Sequence, residues 1–108
     1  MRHTVRLTKA ARQDLEEIYA WIAEHDTPAR AGYVLDRLTA AAEKMRALPG
    51  AGSRPPELPG GIRADYRQVF FKPYRIIYRV TGTEIVIHLI ADGRRNLRAL
   101  LLQRLTAD

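Results

Sequence analysis

A chain of 108 residues, 46% of them hydrophobic, is sized for one domain with one core, and no apolar run approaches the ~18 residues a membrane span needs. There is no cysteine, which excludes disulfides and thiolate metal sites and fits a reducing, cytoplasmic setting. The charge of +6 is uneven: residues 1–48 carry eight Lys/Arg against seven Asp/Glu, residues 49–108 ten against five. Fifteen of the eighteen cations are arginine, whose planar fork suits phosphate and carboxylate, so nucleic acid or an acidic protein surface is the expected company of the second half.

The opening MRHTVRLTKAARQDL is charged and lacks the apolar core and small-residue cleavage site of a signal peptide. Within it HTVRLT alternates, with Val5 and Leu7 on one side, and predicts a short strand. Thr8 is placed to cap a helix whose buried face is Ala11, Leu15, Ile18, Tyr19 and Ile22. EHDTP interrupts that helix, and Thr27-Pro28 starts a second, with threonine as cap and proline in the first turn. Its stripe is Val34, Leu38, Ala41 or Ala42, and Met45, ending at LPG, so the two helices form an antiparallel hairpin.

The stretch PGAGSRPPELPGG holds four of the six prolines and four of the seven glycines and reads as a loop. DYRQVFF, YRIIYRV and EIVIHLIA follow as three strands, separated by Lys72-Pro73 and TGT, both short enough for hairpin turns. Asn96 can cap a last helix carrying Leu97, Leu100, Leu101 and Leu105. The expectation is a single α+β domain spanning 1–108, with a helical hairpin packed on an antiparallel sheet in the order β-α-α-β-β-β-α.

Few residues invite catalysis. His3, His25 and His88 fall in separate elements without metal-ligand spacing, and His88 reads as a strand histidine satisfied by a neighbour. The single serine, Ser53, has no nucleophile elbow around it, and PGAGS lacks the lysine and preceding strand of a phosphate loop. Asp14, Glu16 and Glu17 near a helix start favour the helix dipole, a structural role. No cofactor and no metal are expected.

The arginines remain. Alternation puts Arg75 and Arg79 on one strand face with Ile77, and pairing with the preceding strand is expected to bring Arg67 into the same neighbourhood. Arg94 and Arg95 leave the end of the last strand. Such a cluster, edged by tyrosines, fits either a phosphate-gripping surface or an outer face paired with Asp65, Glu84 or Asp92. The leucines of the last helix spread over roughly 200° of arc, with Leu102 off the stripe and Arg104 within it. That width suggests a protein partner, and Trp21, at the margin of the first helix stripe, makes the same suggestion more weakly.

The helical hairpin, the Pro/Gly loop, the strand YRIIYRV and the ending IHLIADGRRNLRALL resemble the RelE/ParE superfamily of toxins from bacterial type II toxin–antitoxin systems, and within it the ParE, or plasmid-stabilisation, branch. The resemblance covers essentially the whole chain. It implies that YRIIYRV is a central strand, that Arg75 matches the family arginine there, and that Arg94 or Arg95 matches the one after the last strand. RelE-like members cleave mRNA in the ribosome and often carry a tyrosine or histidine near the C-terminus for proton transfer. Here NLRALL stands at that place, with Leu97 and Arg98. Arginine stabilises a phosphorane-like transition state but is a poor base at neutral pH.

ParE-like toxins instead bind DNA gyrase and trap it with cleaved DNA, without being hydrolases. The resemblance therefore implies a gyrase-inhibiting toxin with no catalytic residues, neutralised by a cognate ParD-like or other small antitoxin. Trp21, Arg75, Arg94, Arg95, Leu101, Leu102 and Leu105 are its expected partner-binding residues. The alternative is a RelE-like endoribonuclease acting on ribosome-bound mRNA, in which Arg67, Arg75, Arg79, Arg94 and Arg95 grip the scissile phosphate.

Overall fold

The structure, a computed structural model, describes residues 3–63 and 65–106. Its elements run β1 (Thr4–Leu7), α1 (Lys9–His25), α2 (Pro28–Ala47), a short helical turn α3 (Gly60–Arg63), β2 (Tyr66–Phe71), β3 (Tyr74–Thr81), β4 (Glu84–Asp92) and α4 (Leu97–Thr106). The caps are those the sequence names. Thr8 accepts from the Ala11 amide at 3.0 Å, Thr27 from the Arg30 amide at 3.0 Å, and Asn96 from the Ala99 amide at 3.2 Å. The α3 turn was not expected from the Pro/Gly composition around it.

The strands lie in the order β1-β4-β3-β2. Antiparallel pairing holds for β2–β3 and β3–β4, and Gly82, at φ +60°, takes the left-handed position of the tight turn between Thr81 and Glu84. One expectation needs correction: the sheet is mixed, because β1 runs parallel to β4, with Thr4 opposite Glu84 and Leu7 opposite Ile87. Parallel neighbours need a long crossover, and the helical hairpin supplies it between β1 and the meander.

Each sheet face carries its own apolar cluster. Ile76, Tyr78, Ile85, Ile87 and Ile90 pack against Ala11, Ile22, Ala31, Val34, Leu38 and Met45 of the hairpin. Ile77, Leu89, Ala91 and Tyr66 pack against Leu97 and Leu101 of α4 and Leu58 of the loop. The β4 side chains change face in mid-strand because the register steps from Ile77–Leu89 to Tyr78–Ile87, a bulge at His88. Beyond Leu7 the edge of β4 has no strand beside it, and side chains take over that pairing. The Ile90 amide donates to Asp14 Oδ2 at 3.0 Å, and the His88 carbonyl accepts from Arg104 Nη1 at 2.8 Å. Arg104 also forks onto Asp14 at 2.8 and 2.9 Å, which ties α1, β4 and α4 together.

Candidate functional site

The arginines do not converge on one point. Arg75, only 8% exposed, projects from the α4 face of β3 and meets the loop. Its Nη1 and Nη2 fork onto Glu57 at 2.6 and 2.7 Å, and its Nε donates to Gln68 Oε1 at 2.9 Å, with Nη2 reaching the same oxygen. The Arg75 guanidinium holds the Glu57 carboxyl below its ordinary value, against the opposing effect of burial. Gly93 is required beside it, since a Cβ there would sit 2.9 Å from Arg75 Cδ. Arg75 is thus committed within the fold rather than presented to a partner. The register corrects a second expectation. Arg67 lies opposite Tyr78 on the hairpin face, away from Arg75 and Arg79, and donates to the carbonyls of Gly50 and Gly52 at 3.0 and 2.9 Å. Arg79 is exposed and lies over the Tyr66 ring at 5.9 Å, and His88 meets the same ring edge-on at 5.5 Å.

Arg94 and Arg95 stand elsewhere, in a cleft of about 410 Å³ between α1 and the C-terminal end of β4. Its lining includes Glu17, Ile18 and Trp21 from α1, Tyr74 from β3, and Ile90, Ala91 and Asp92 from β4. Arg94 donates to Asp92 through Nε at 3.0 Å and Nη2 at 2.6 Å, and those hydrogen bonds lower the Asp92 carboxyl below its ordinary value. Trp21 is 61% exposed and stacks on His25 with ring centroids 4.4 Å apart. Burial, reinforced by the Asp92 charge, raises the Tyr74 phenol, so at neutral pH it is a protonated donor and no base.

The last helix buries most of its leucines. Leu101 is fully buried with Leu97, and Leu105 packs on the same cluster half-buried, so of the expected contact leucines Leu102, 37% exposed, faces outward. Leu101 is therefore corrected from a partner surface to a core position, because α4 lies flat on the sheet face that Leu89 and Ala91 supply. Among the described residues no group of three or more His, Asp or Glu is gathered to hold a metal ion, and no helix is long and apolar enough to cross a membrane.

A larger apolar surface escaped the sequence reading. Between α2 and the edge strand β2 runs a groove of about 540 Å³ lined by Tyr33, Ala40, Ala41, Leu48, Val69, Phe70 and Phe71, with Arg37 and Lys44 among its walls. Leu48 and Phe70 are 66% and 53% exposed. The signal was present in α2 as a second stripe, Tyr33, Arg37, Ala41, Lys44 and Leu48, at spacings of three and four.

These elements have known counterparts. The fold matches a chain of the chromosomal ParDE toxin–antitoxin system from P. aeruginosa, with TM-score 0.71, 22% identity, and coverage of 84% of this chain and 96% of that one. It also matches a chain of the RelBE2 toxin–antitoxin complex from Mycobacterium tuberculosis, with TM-score 0.62, 23% identity and coverage of 85% and 99%. A free E. coli RelE bearing two arginine-to-alanine changes matches with TM-score 0.62, 13% identity and 93% coverage of each chain. The architecture is that of the RelE/ParE toxins. In sequence, Toxin ParE3 of Caulobacter vibrioides is 30% identical over 94 residues, covering 87% of this chain and 90% of that protein. The family model for the ParE toxin of the type II toxin–antitoxin system parDE matches residues 5–97. The chain belongs to the ParE family of type II toxin–antitoxin toxins.

Proposed function

We propose that this chain is an active toxin that poisons DNA gyrase and is neutralised by a cognate antitoxin. The observation that carries the choice of target is the dispersal of the arginines. An endoribonuclease needs several cations around one scissile phosphate and a group that moves a proton. Here Glu57 occupies Arg75, Gly50 and Gly52 occupy Arg67 on the opposite sheet face, and Tyr74 is held protonated. A toxin that works by binding needs no such centre.

The ParDE and RelBE2 neighbours come from toxin–antitoxin systems, and an antitoxin contact on this chain has a suitable surface. The α2–β2 groove is apolar along its length and basic at Arg37 and Lys44, and β2, an edge strand that the loop pairs only at Gln68 through Ser53 among the described residues, borders it. It fits an antitoxin segment with apolar anchors and acidic residues. In cells, expression of this chain alone is expected to arrest growth with an SOS response and intact mRNA, and co-expression of the antitoxin to restore growth. Normal growth, or arrest with cut mRNA, overturns the reading.

A further inference from the structure

The cleft between α1 and the end of β4 carries three chemically distinct features. The first is a ring. Trp21, the chain's one tryptophan, is exposed where α1 borders the cleft, and His25 lies against it at an interplanar angle of 13°. Stacking on one face steadies the indole and leaves the other for a second ring. The His25 Nδ1, 2.9 Å from the Trp21 carbonyl, keeps the imidazole in register with that indole.

The second feature is cationic. Arg94 is fixed by Asp92, whereas Arg95, exposed beside it, enters no salt bridge among the described residues. The third is anionic. Of the carboxylates in the cleft, Asp92 is taken by Arg94, and Asp14 by Arg104 and the Ile90 amide. Glu17 alone enters no salt bridge among the described residues. The charges outside any salt bridge among the described residues are therefore one arginine, which acts through space on Asp92, and one carboxylate, which acts through space on Arg104, with an indole in the same cleft.

A bare phosphate leaves Trp21 unused, and an acidic peptide is repelled by Glu17. A nucleotide uses all three, since its base stacks, its exocyclic amino group donates to a carboxylate, and its phosphate takes an arginine fork. The volume of about 410 Å³ falls within the usual range for small-ligand sites. Stacking requires an unpaired base. We infer that this cleft binds single-stranded nucleic acid, with a base on Trp21, its amino edge toward Glu17 and its phosphate at Arg95. Tyr74 and Ile90 belong to the hairpin face of the sheet, so the site shares Arg94 and Arg95 with the ribonuclease reading but lies away from its Arg75 and Arg79. The inference goes beyond gyrase poisoning and does not rest on it.

The test contains no gyrase and no ribosome, so it stands or falls separately from the choice of target. Purified chain is titrated with single-stranded oligocytidine and oligothymidine as DNA, and with the corresponding RNAs. Trp21 emission and the polarisation of a labelled strand are followed together. Saturable quenching is expected with DNA, RNA or both, and the arm that binds tighter identifies the sugar preferred. Cytosine, which has an amino group, is expected to bind tighter than thymine, and Glu17→Gln to remove that preference. Arg95→Gln and Trp21→Leu are each expected to weaken binding by roughly tenfold in the polarisation signal, while Arg37→Gln, equal in charge change but in the distant groove, leaves it close to native. Absence of saturable quenching overturns the site, as does equal weakening by Arg95→Gln and Arg37→Gln, the mark of unspecific attraction to a basic chain. Equal binding of cytosine and thymine by the native chain overturns the role given to Glu17.

Discussion

Arg75 looks in the sequence like a residue on offer and in the structure like a residue in use. Its partner, Glu57, sits in a proline-glycine loop whose path no local rule predicts. That path is set by distant contacts: the Tyr78 hydroxyl donates to the Pro49 carbonyl at 2.9 Å, and Arg67 holds the two glycine carbonyls. Gly52 has no room for a side chain, since a Cβ there would lie 2.5 Å from the Tyr78 hydroxyl. Removing the guanidinium leaves a half-buried carboxylate and the buried Gln68 carbonyl without their donor, so Arg75→Ala is expected to cost about 2 kcal/mol in urea unfolding. The pair also fixes a pH dependence. Glu57 has a folded pKa below its ordinary value of 4.5. Its stabilising effect is therefore complete above that ordinary value and is lost as pH falls through the depressed folded one. Glu57→Gln is expected to flatten this part of the acid limb of the stability profile, and an unchanged limb would remove the pair from the stability of the loop. Alternation alone did place Arg75 and Arg79 together, whereas Arg67 was misplaced because pairing register, not strand sequence, decides which faces coincide.

At the level of elements, what is local was legible. Three cap residues, two helix stripes and two hairpin turns were readable because each is specified within a few residues, although Tyr19, expected on the buried face of α1, is exposed at the margin of its stripe. The parallel seat of β1 was not, since nothing in HTVRLT says which edge of the meander it joins. Nor was the bulge at His88, which turns the second half of β4 and leaves backbone groups for Asp14 and Arg104 to satisfy. The leucine arc of α4 put Arg104 within the stripe, where it lies half-buried against Asp14, yet its width came from a helix whose flanks rest on a sheet, with Leu102 left outside. Asp14 is the joint of this arrangement. Asp14→Ala strands the Ile90 amide and leaves the Arg104 guanidinium with the His88 carbonyl but no carboxylate, and is expected to cost about 2 kcal/mol. Hydrogen exchange should then accelerate first in α4. Acceleration spread evenly over the molecule would mean that Asp14 does not anchor that helix.

Across the whole molecule, the two proposed roles fall on two surfaces, the basic apolar groove along α2 and β2 and the Trp21–Arg95 cleft at the end of β4. Only the second was partly legible in the sequence, through Trp21, Arg94 and Arg95; the groove needs Phe70 and Leu48, far apart in the chain, to be seen together. Phe70 is among the residues lining the groove, is 53% exposed and contributes little to the core, so Phe70→Glu is expected to leave the fold intact. It should weaken antitoxin binding by more than about tenfold in a calorimetric titration, and unchanged affinity would move the antitoxin to another face. Gyrase poisoning is the claim on which the functional reading turns. The decisive measurement incubates the purified chain with gyrase and supercoiled DNA, and in parallel with ribosome-loaded mRNA. Poisoning predicts trapped gyrase–DNA cleavage with the mRNA intact. Codon-positioned cuts in the mRNA with gyrase unaffected would contradict it.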